Sequence, residues 1–280
     1  MRVVVTGAAG LLGNAVVRAA RERGHDVCAL DREALDVTDS GAVERRIRDE
    51  KPEVIVHCAG YTAVDRAEEE AEQAMRVNCD GTRNVALAAA QIGATVFNPS
   101  SDFVFDGRSE RPYRPDDQPM PINAYGVSKL AGEQVLALSG CDWAVVRTSW
   151  LYGSGGRDFV DVILDAKGKS DGMAIVDDQV GCPTWTGSLA PGIITLAEAG
   201  VRGTYHLCDG GSATWFQLAS AVVEEASIDV EFTPTTAQEW GAPAPRPPYS
   251  VLDCSESERI LGHPMPAWRA SLVTYLSETL

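Results

Sequence analysis

The chain contains no long apolar run, no Cys-x-x-Cys pair, only four histidines and only four lysines among its 24 basic residues. Each shortage excludes something. Without an apolar stretch approaching twenty residues there is no candidate membrane span, and the opening "MRVVVTGAAG" is too short for a secretory leader, so a soluble, cytoplasmic protein with no membrane partner is expected. The seven cysteines (28, 58, 79, 141, 182, 208 and 254) are odd in number and lie mostly in apolar runs such as "DVCAL" and "VIVHCAG". A disulfide framework or a zinc cluster is therefore not expected, and the thiols read as small buried hydrophobes. His25, His57, His206 and His263 show no metal-ligand spacing. A formal charge of −16 leaves no basic footprint for nucleic acid. It also means that an anionic ligand must be held by local donors and cations against the general field.

What is present is a strong alternation. "RVVVTG" (2–7), "HDVCALD" (25–31), "EVIVHCAG" (53–60), "ATVFNPSS" (94–101) and "WAVVRTSW" (143–150) are β-branched or apolar runs read as buried strands. Between them lie helical patterns at 11–24, at 40–51 with Ser40 as N-cap, over a long stretch from 63 to 92, and around Tyr125. The fold class expected is α/β, a doubly wound Rossmann-type parallel sheet. Residues 1–150 read as the NAD(P)-binding domain. Residues 151–280 read mainly as a smaller, less regular substrate-binding region, with some segments returning to the sheet. There, 174–185 reads as strand and turn, 188–200 as helix, 203–211 as strand and 214–226 as helix. The connection 102–122 shows no clear element, and the Pro-rich 241–250 admits none.

"TGAAGLLG" places Gly7, Gly10 and Gly13 between the first strand and the first helix. Glycines there let the backbone approach a pyrophosphate, and the free N–H groups of Leu11, Leu12 and Gly13 point at the anion. Asp31 closes the second strand, 18 residues after Gly13, where an acid accepts hydrogen bonds from an adenosine ribose. Its charge favours NADH, whereas the adjacent Arg32 suits the 2′-phosphate of NADPH, so both cofactors stay open. Asp36 and Val37 are placed to flank the adenine. Ala59 and Gly60 end the third strand with small residues beside the nicotinamide. Tyr125 and Lys129 stand four apart on one helix, hence on one face, and Ser101 ends the fourth strand at the same carboxyl edge of the sheet.

These residues carry a resemblance to the extended short-chain dehydrogenase/reductase superfamily, whose signatures are T-G-x-x-G-x-x-G and Y-x-x-x-K with an upstream Ser or Thr. Within it the chain resembles the dTDP-4-dehydrorhamnose reductase family. The matching stretches are "AGYTAVDRAEEE" (59–70), "SSDFVFDG" (100–107), "PINAYGVSKLAGE" (121–133), "VRTSWLYG" (146–153), "VDDQVGCPTW" (176–185), "GTYHLCDGG" (203–211) and "RPPYSVLDCS" (246–255). The resemblance implies reduction by NADPH or NADH of a nucleotide-linked 4-keto-6-deoxy sugar, with hydride going to C4. Tyr125 would be the proton donor, Lys129 would assist it and bind the nicotinamide ribose, and Ser101 would orient the carbonyl. It adds Tyr61 to the cofactor contacts, and Val64, Asp102, Phe103 and Trp150 to the substrate contacts. Arg246 is a candidate for the diphosphate, or else a surface arginine of a Pro-rich loop. Some members of the family use Mg²⁺ at a dimer contact; a homodimer is compatible with this chain, but no metal-ligand set is legible in it.

The chain departs from the family in reading "SSDFVFDG" for S-T-D-Y-V-F-D-G. Ser101 keeps the hydroxyl of the usual Thr, whereas Phe103 loses that of the usual Tyr, which leaves the sugar open. Three rivals share the scaffold. An epimerase or 4,6-dehydratase is one, although dehydratases carry an Asp-Glu pair where Asp102 is followed by Phe103. A regulatory subunit like that of methionine adenosyltransferase is another. A nucleotide sensor without turnover is the third.

Overall fold

A computed structural model describes residues 1–167 and 172–280. Six parallel strands form the central sheet: β1 (Arg2–Thr6), β2 (Asp26–Leu30), β3 (Val54–His57), β4 (Thr95–Ser101), β5 (Asp142–Thr148) and β10 (Gly203–His206). Their spatial order is β10-β5-β4-β3-β1-β2, so the direction of winding reverses between β1 and β3. All six end on the same edge, and a crevice opens there at the reversal.

The two-residue period of the strands sorts their side chains onto two faces. Val3 and Val5 of β1, Val54 and Val56 of β3, and Val146 of β5 pack beneath α1 (Leu11–Glu22) and α7 (Thr186–Glu198). Val4, Ile55, Val96 and Val145 pack beneath α2 (Ser40–Glu50), α4 (Thr82–Ile92) and α5 (Ala124–Ala137). Each such buried branched side chain contributes about 1.5–3 kcal/mol, and with both faces covered the strands need no polar alternation.

The chain beyond β5 begins with β6 (Leu151–Tyr152) and α6 (Phe159–Leu164), then β7 (Met173–Val176), β8 (Val180–Gly181) and β9 (Thr184–Trp185). After α7 and β10 follow β11 (Ala213–Thr214), α8 (Trp215–Ala226), β12 (Phe232–Thr235), α9 (Ala237–Trp240), α10 (Ser255–Leu261) and α11 (Trp268–Thr279). Paired short strands and α6, α8 and α11 enclose a separate core around Tyr152, Ile163, Leu218, Leu272 and Tyr275. Segments of this half also complete the first, since α7 covers one sheet face and β10 pairs with β5.

Several local expectations change. Asp39, not Ser40, caps α2, its carboxylate accepting from the Ala42 amide at 2.9 Å. The stretch 63–92 is not one helix. It is a 3₁₀ turn (Arg66–Glu68), the short α3 (Ala71–Met75), a π-turn (Arg76–Gly81) and then α4. The extra residue of the π-turn changes which side chains face inward, and it buries Asn78. The connection 102–122 holds a 3₁₀ turn (Asp102–Val104) and is stitched to the C-terminal half by a bridge between Tyr113 and Leu252. Helices α6, α10 and α11 and strand β12 are not legible in the sequence. Of these, α6, α10 and β12 are short, and α10 and α11 have no side-chain N-cap.

Candidate active site

The turn after β1 is built from steric necessity. Gly7 has φ +63°, and a Cβ there would lie 2.6 Å from the Ala59 nitrogen. A Cβ on Gly13 would lie 2.2 Å from the Gly7 carbonyl oxygen. The turn therefore wraps tightly against both the start of α1 and the Ala59–Tyr61 segment. Gly10 caps α1 with no side chain over the helix end, and no acid lies in the first turn. The amides of Leu11, Leu12 and Gly13 remain open to an anion, which also gains from the positive end of the helix. A dinucleotide pyrophosphate fits this cradle. Asp31 follows β2 directly, and one carboxylate oxygen accepts from the Ala34 amide at 2.8 Å. Asp36 accepts from both the amide and the hydroxyl of Thr38, and Val37 is buried against Gly81.

Asn78, absent from the sequence reading, organises the next edge. Its amide accepts from the Tyr61 N–H at 2.8 Å and donates to the Tyr61 carbonyl at 3.1 Å and the Ser128 hydroxyl at 2.8 Å. One buried side chain thus fixes the Ala59–Gly60–Tyr61 turn to α5. Only the π-turn, which has no sequence signature, makes this visible.

Helix α5 starts at Asn123, whose side chain accepts from the Gly126 amide at 2.7 Å. One turn further the fold brings Tyr125, Lys129 and Ser101 together. Ser101 is near enough to the Tyr125 phenol to act on its ionisation, while its hydroxyl donates to Asp102 at 3.0 Å, and the Lys129 amine donates to the Pro99 carbonyl at 2.8 Å. Burial pushes the phenol up to about 12, opposed by Ser101 and reinforced by Asp102. Burial lowers the Lys129 amine to about 8, opposed by Glu133 one turn along the helix and by Cys58. At neutral pH the pair is therefore a protonated phenol beside an ammonium. His57, at the end of β3, bonds Thr6 at 2.7 Å and is lowered to about 3 by burial and by Lys129, so it stays neutral.

The remaining substrate candidates are placed differently from one another. Phe103 packs edge-on to the Tyr125 ring at 5.9 Å. Val64 is half-buried in the loop after β3. Asp102 lies behind the site, fully enclosed; its two carboxylate oxygens accept from the hydroxyls of Ser101 at 3.0 Å and Ser250 at 2.6 Å. Trp150 has φ +48°, unusual for a bulky residue, and one face of its indole is stacked on Trp215 at 3.6 Å. Arg246 forms a two-point pair with Asp65, both contacts at 2.9 Å, which ties the Pro-rich segment to the loop carrying Val64. Among the described residues, no group of three or more His, Cys, Asp or Glu could hold a metal ion.

Asp102 carries a prediction about stability. Its carboxyl is raised to about 7 chiefly by burial, with Ser250 and Ser101 opposing the rise. Between about pH 4 and pH 7 the folded state holds a proton that the unfolded state has released, so this group lowers stability as pH rises through that window. His57 and His206, lowered to about 3 and about 4, act in the opposite sense, and stability from them is lost as pH falls below the imidazole's ordinary range. Asp102→Asn leaves the histidines unchanged. Its stability relative to the parent, measured by urea unfolding, is expected to increase from pH 5 to pH 8; a constant difference would show that Asp102 does not titrate as described.

A reversing parallel sheet with a glycine-rich first turn and a Ser–Tyr–Lys constellation at its carboxyl edge is the architecture of the extended short-chain dehydrogenases/reductases. The RmlD substrate binding domain family model matches residues 1–280. A dTDP-4-dehydrorhamnose reductase from Streptomyces griseus is 41% identical over 278 residues, covering 97% of this chain and 91% of that one. A dTDP-4-dehydrorhamnose reductase from Bacillus anthracis, solved in complex with NADP, superposes with a TM-score of 0.94 at 37% identity, covering 99% of each chain. A probable dTDP-4,6-dihydroxy-2-methyloxan-3-one 4-ketoreductase from Streptomyces antibioticus is 39% identical over 276 residues, covering 97% of this chain and 93% of that one. The chain belongs to the dTDP-4-dehydrorhamnose reductase family.

Proposed function

We propose that the chain is an NAD(P)H-dependent reductase of a nucleotide-linked 4-keto-6-deoxy sugar, converting dTDP-4-dehydrorhamnose to dTDP-L-rhamnose. The observation that carries this reading is the convergence of Ser101, Tyr125 and Lys129 beside the glycine cradle in a chain matched by the family from end to end. The cofactor, held at Gly7, Gly10, the Leu11–Gly13 amides and the Asp31–Val37 turn, supplies the hydride to C4 when bound. The chain's own residues manage the proton. The Ser101 hydroxyl, which donates to Asp102 in the free chain, turns its hydrogen bond to the sugar carbonyl and orients it, and Tyr125 gives its phenolic proton to the forming alkoxide. Lys129, held against the Pro99 carbonyl, favours the resulting phenolate. Phe103 and Val64 offer apolar walls to the deoxysugar. Arg246 exchanges its Asp65 partner for the substrate diphosphate.

The test is absorbance at 340 nm with dTDP-4-dehydrorhamnose generated in situ, with no partner protein added. Loss of signal is expected with the purified chain alone. The rate is expected to fall as pH rises through about 8, where Lys129 loses its charge. A flat trace with cofactor binding intact would defeat the substrate assignment.

A further inference from the structure

Ser250 has no part in the chemistry described so far, yet it is 1% exposed and meets the site from the far end of the chain. Its hydroxyl lies 2.6 Å from Oδ2 of Asp102, 148 positions away. Among the described residues no other group accepts from it, so its hydrogen is committed to that oxygen. The other oxygen, Oδ1, accepts from the Ser101 hydroxyl at 3.0 Å, and the Ser101 oxygen accepts from the Phe103 amide at 3.1 Å. One enclosed carboxylate thus stands between two serines, each taking one oxygen. The terminal torsion of an aspartate is broad when nothing restrains it. The second donor is what fixes the plane of the carboxylate.

Ser250 is itself held firmly. Its amide donates to the Val180 carbonyl at 2.8 Å, and the Val180 amide donates to the Pro248 carbonyl at 2.9 Å. On the other side the Val251 carbonyl accepts from the Tyr113 amide at 2.8 Å. The segment is anchored to β8 and to the 102–122 connection, and the backbone sets where the Ser250 hydroxyl points.

When Ser101 turns its hydrogen to a sugar carbonyl, its bond to Asp102 has to reverse. Burial raises the Asp102 carboxyl to about 7, so a neutral carboxyl is accessible near neutral pH. Because Ser250 donates to Oδ2, the proton of that carboxyl resides on Oδ1, facing the Ser101 oxygen. Asp102 then donates to Ser101 while Ser101 donates to the substrate. No proton changes owner.

We propose that Ser250 is a positioning residue for the reduction: by holding Oδ2 of Asp102 it keeps Oδ1 on the Ser101 oxygen, and so aims the Ser101 hydroxyl at the substrate carbonyl. The proposal rests on the reductase reading above and deepens it. Ser250 acts through Asp102 and is not itself a catalytic residue.

The test compares the parent, Ser250→Ala, Ser250→Cys, Ser101→Ala and the double variant Ser101→Ala/Ser250→Ala. Turnover of dTDP-4-dehydrorhamnose generated in situ is followed at 340 nm, cofactor affinity by fluorescence and stability by urea unfolding. Ser250→Ala is expected to lower kcat by about tenfold, with KM and cofactor affinity within about twofold. Ser250→Cys keeps the volume and a weak donor, and its kcat is expected between the two. In the Ser101→Ala background, loss of Ser250 is expected to change kcat by less than about twofold, because no hydroxyl is left to aim. Equal losses in both backgrounds, or lower stability with parental kcat, would reduce Ser250 to a structural role and overturn the proposal. Should Ser250→Ala not fold, Ser250→Cys in the two backgrounds makes the same comparison, and parental kcat there overturns it. An active parent whose Ser250 variants keep parental kcat overturns this role alone. A parent that binds cofactor but reduces no 4-keto sugar overturns the reductase reading and this role with it.

Discussion

Tyr125→Phe is expected to lower kcat by about 10²–10⁴-fold, the range associated with loss of a general acid, with cofactor affinity nearly unchanged. The substitution removes one oxygen and leaves the ring. Packing against Phe103 at 5.9 Å therefore survives, as do the cap at Asn123 and the helix that carries Lys129. What disappears is the group whose proton is held in place by burial, against the opposing effect of Ser101. Water can still protonate an alkoxide, so residual activity is expected. The pH profile of the variant should also change, because no phenol remains for Lys129 to assist. The decisive measurements are single-turnover hydride transfer at 340 nm and, separately, cofactor binding by fluorescence. A variant retaining near-parental kcat would remove Tyr125 from the chemistry.

Arg147→Met is expected to destabilise the protein by about 3–5 kcal/mol, because it strands a buried carboxylate. Glu133 and Arg147 are both almost fully enclosed and meet in a two-point pair, with Nε to Oε1 at 3.0 Å and Nη2 to Oε2 at 2.8 Å. Arg147 also donates to the Pro115 carbonyl at 3.2 Å and lies over the Phe105 ring at 5.1 Å. One guanidinium thereby joins β5, α5 and the long 102–122 connection. With the cation gone, the carboxylate has no charged partner and little water. A drop in Tm of roughly 10 °C or more is expected. Glu133→Leu combined with Arg147→Met should cost much less than Arg147→Met alone, since no charge is left buried. Urea unfolding of the three proteins checks both statements. A loss below about 1 kcal/mol in Arg147→Met would mean that the carboxylate protonates or finds solvent. The pair also bears on the active site, because Glu133 lies one turn from Lys129 on the same helix and raises its amine.

Much of this was open to a reading of the residues. Five strands of the central sheet are apolar runs ending in small or polar residues, and the glycine spacing of "TGAAGLLG" needs only a strand before it and a helix after it to be informative. Tyr125 and Lys129 share a helix face by spacing alone. What the residues could not convey are facts of assembly. No pattern in "RVNCDG" announces a π-turn, so the inward turn of Asn78 is not visible. Nothing in "RPPYS" says that Arg246 meets Asp65, nor anything in "SSDF" that Asp102 faces Ser250 and is enclosed while Ser101 remains in the site.

Taken by itself, the order of residues determined the class of fold and the places proposed for the cofactor and for the proton-handling group. These depend on local backbone geometry and on periodicity, which neighbours in the chain dictate. Only the tertiary structure decided which ionisable groups are buried and which charges meet across elements. Those properties depend on dielectric and on distance in space, and residues 148 positions apart, such as Asp102 and Ser250, set them together.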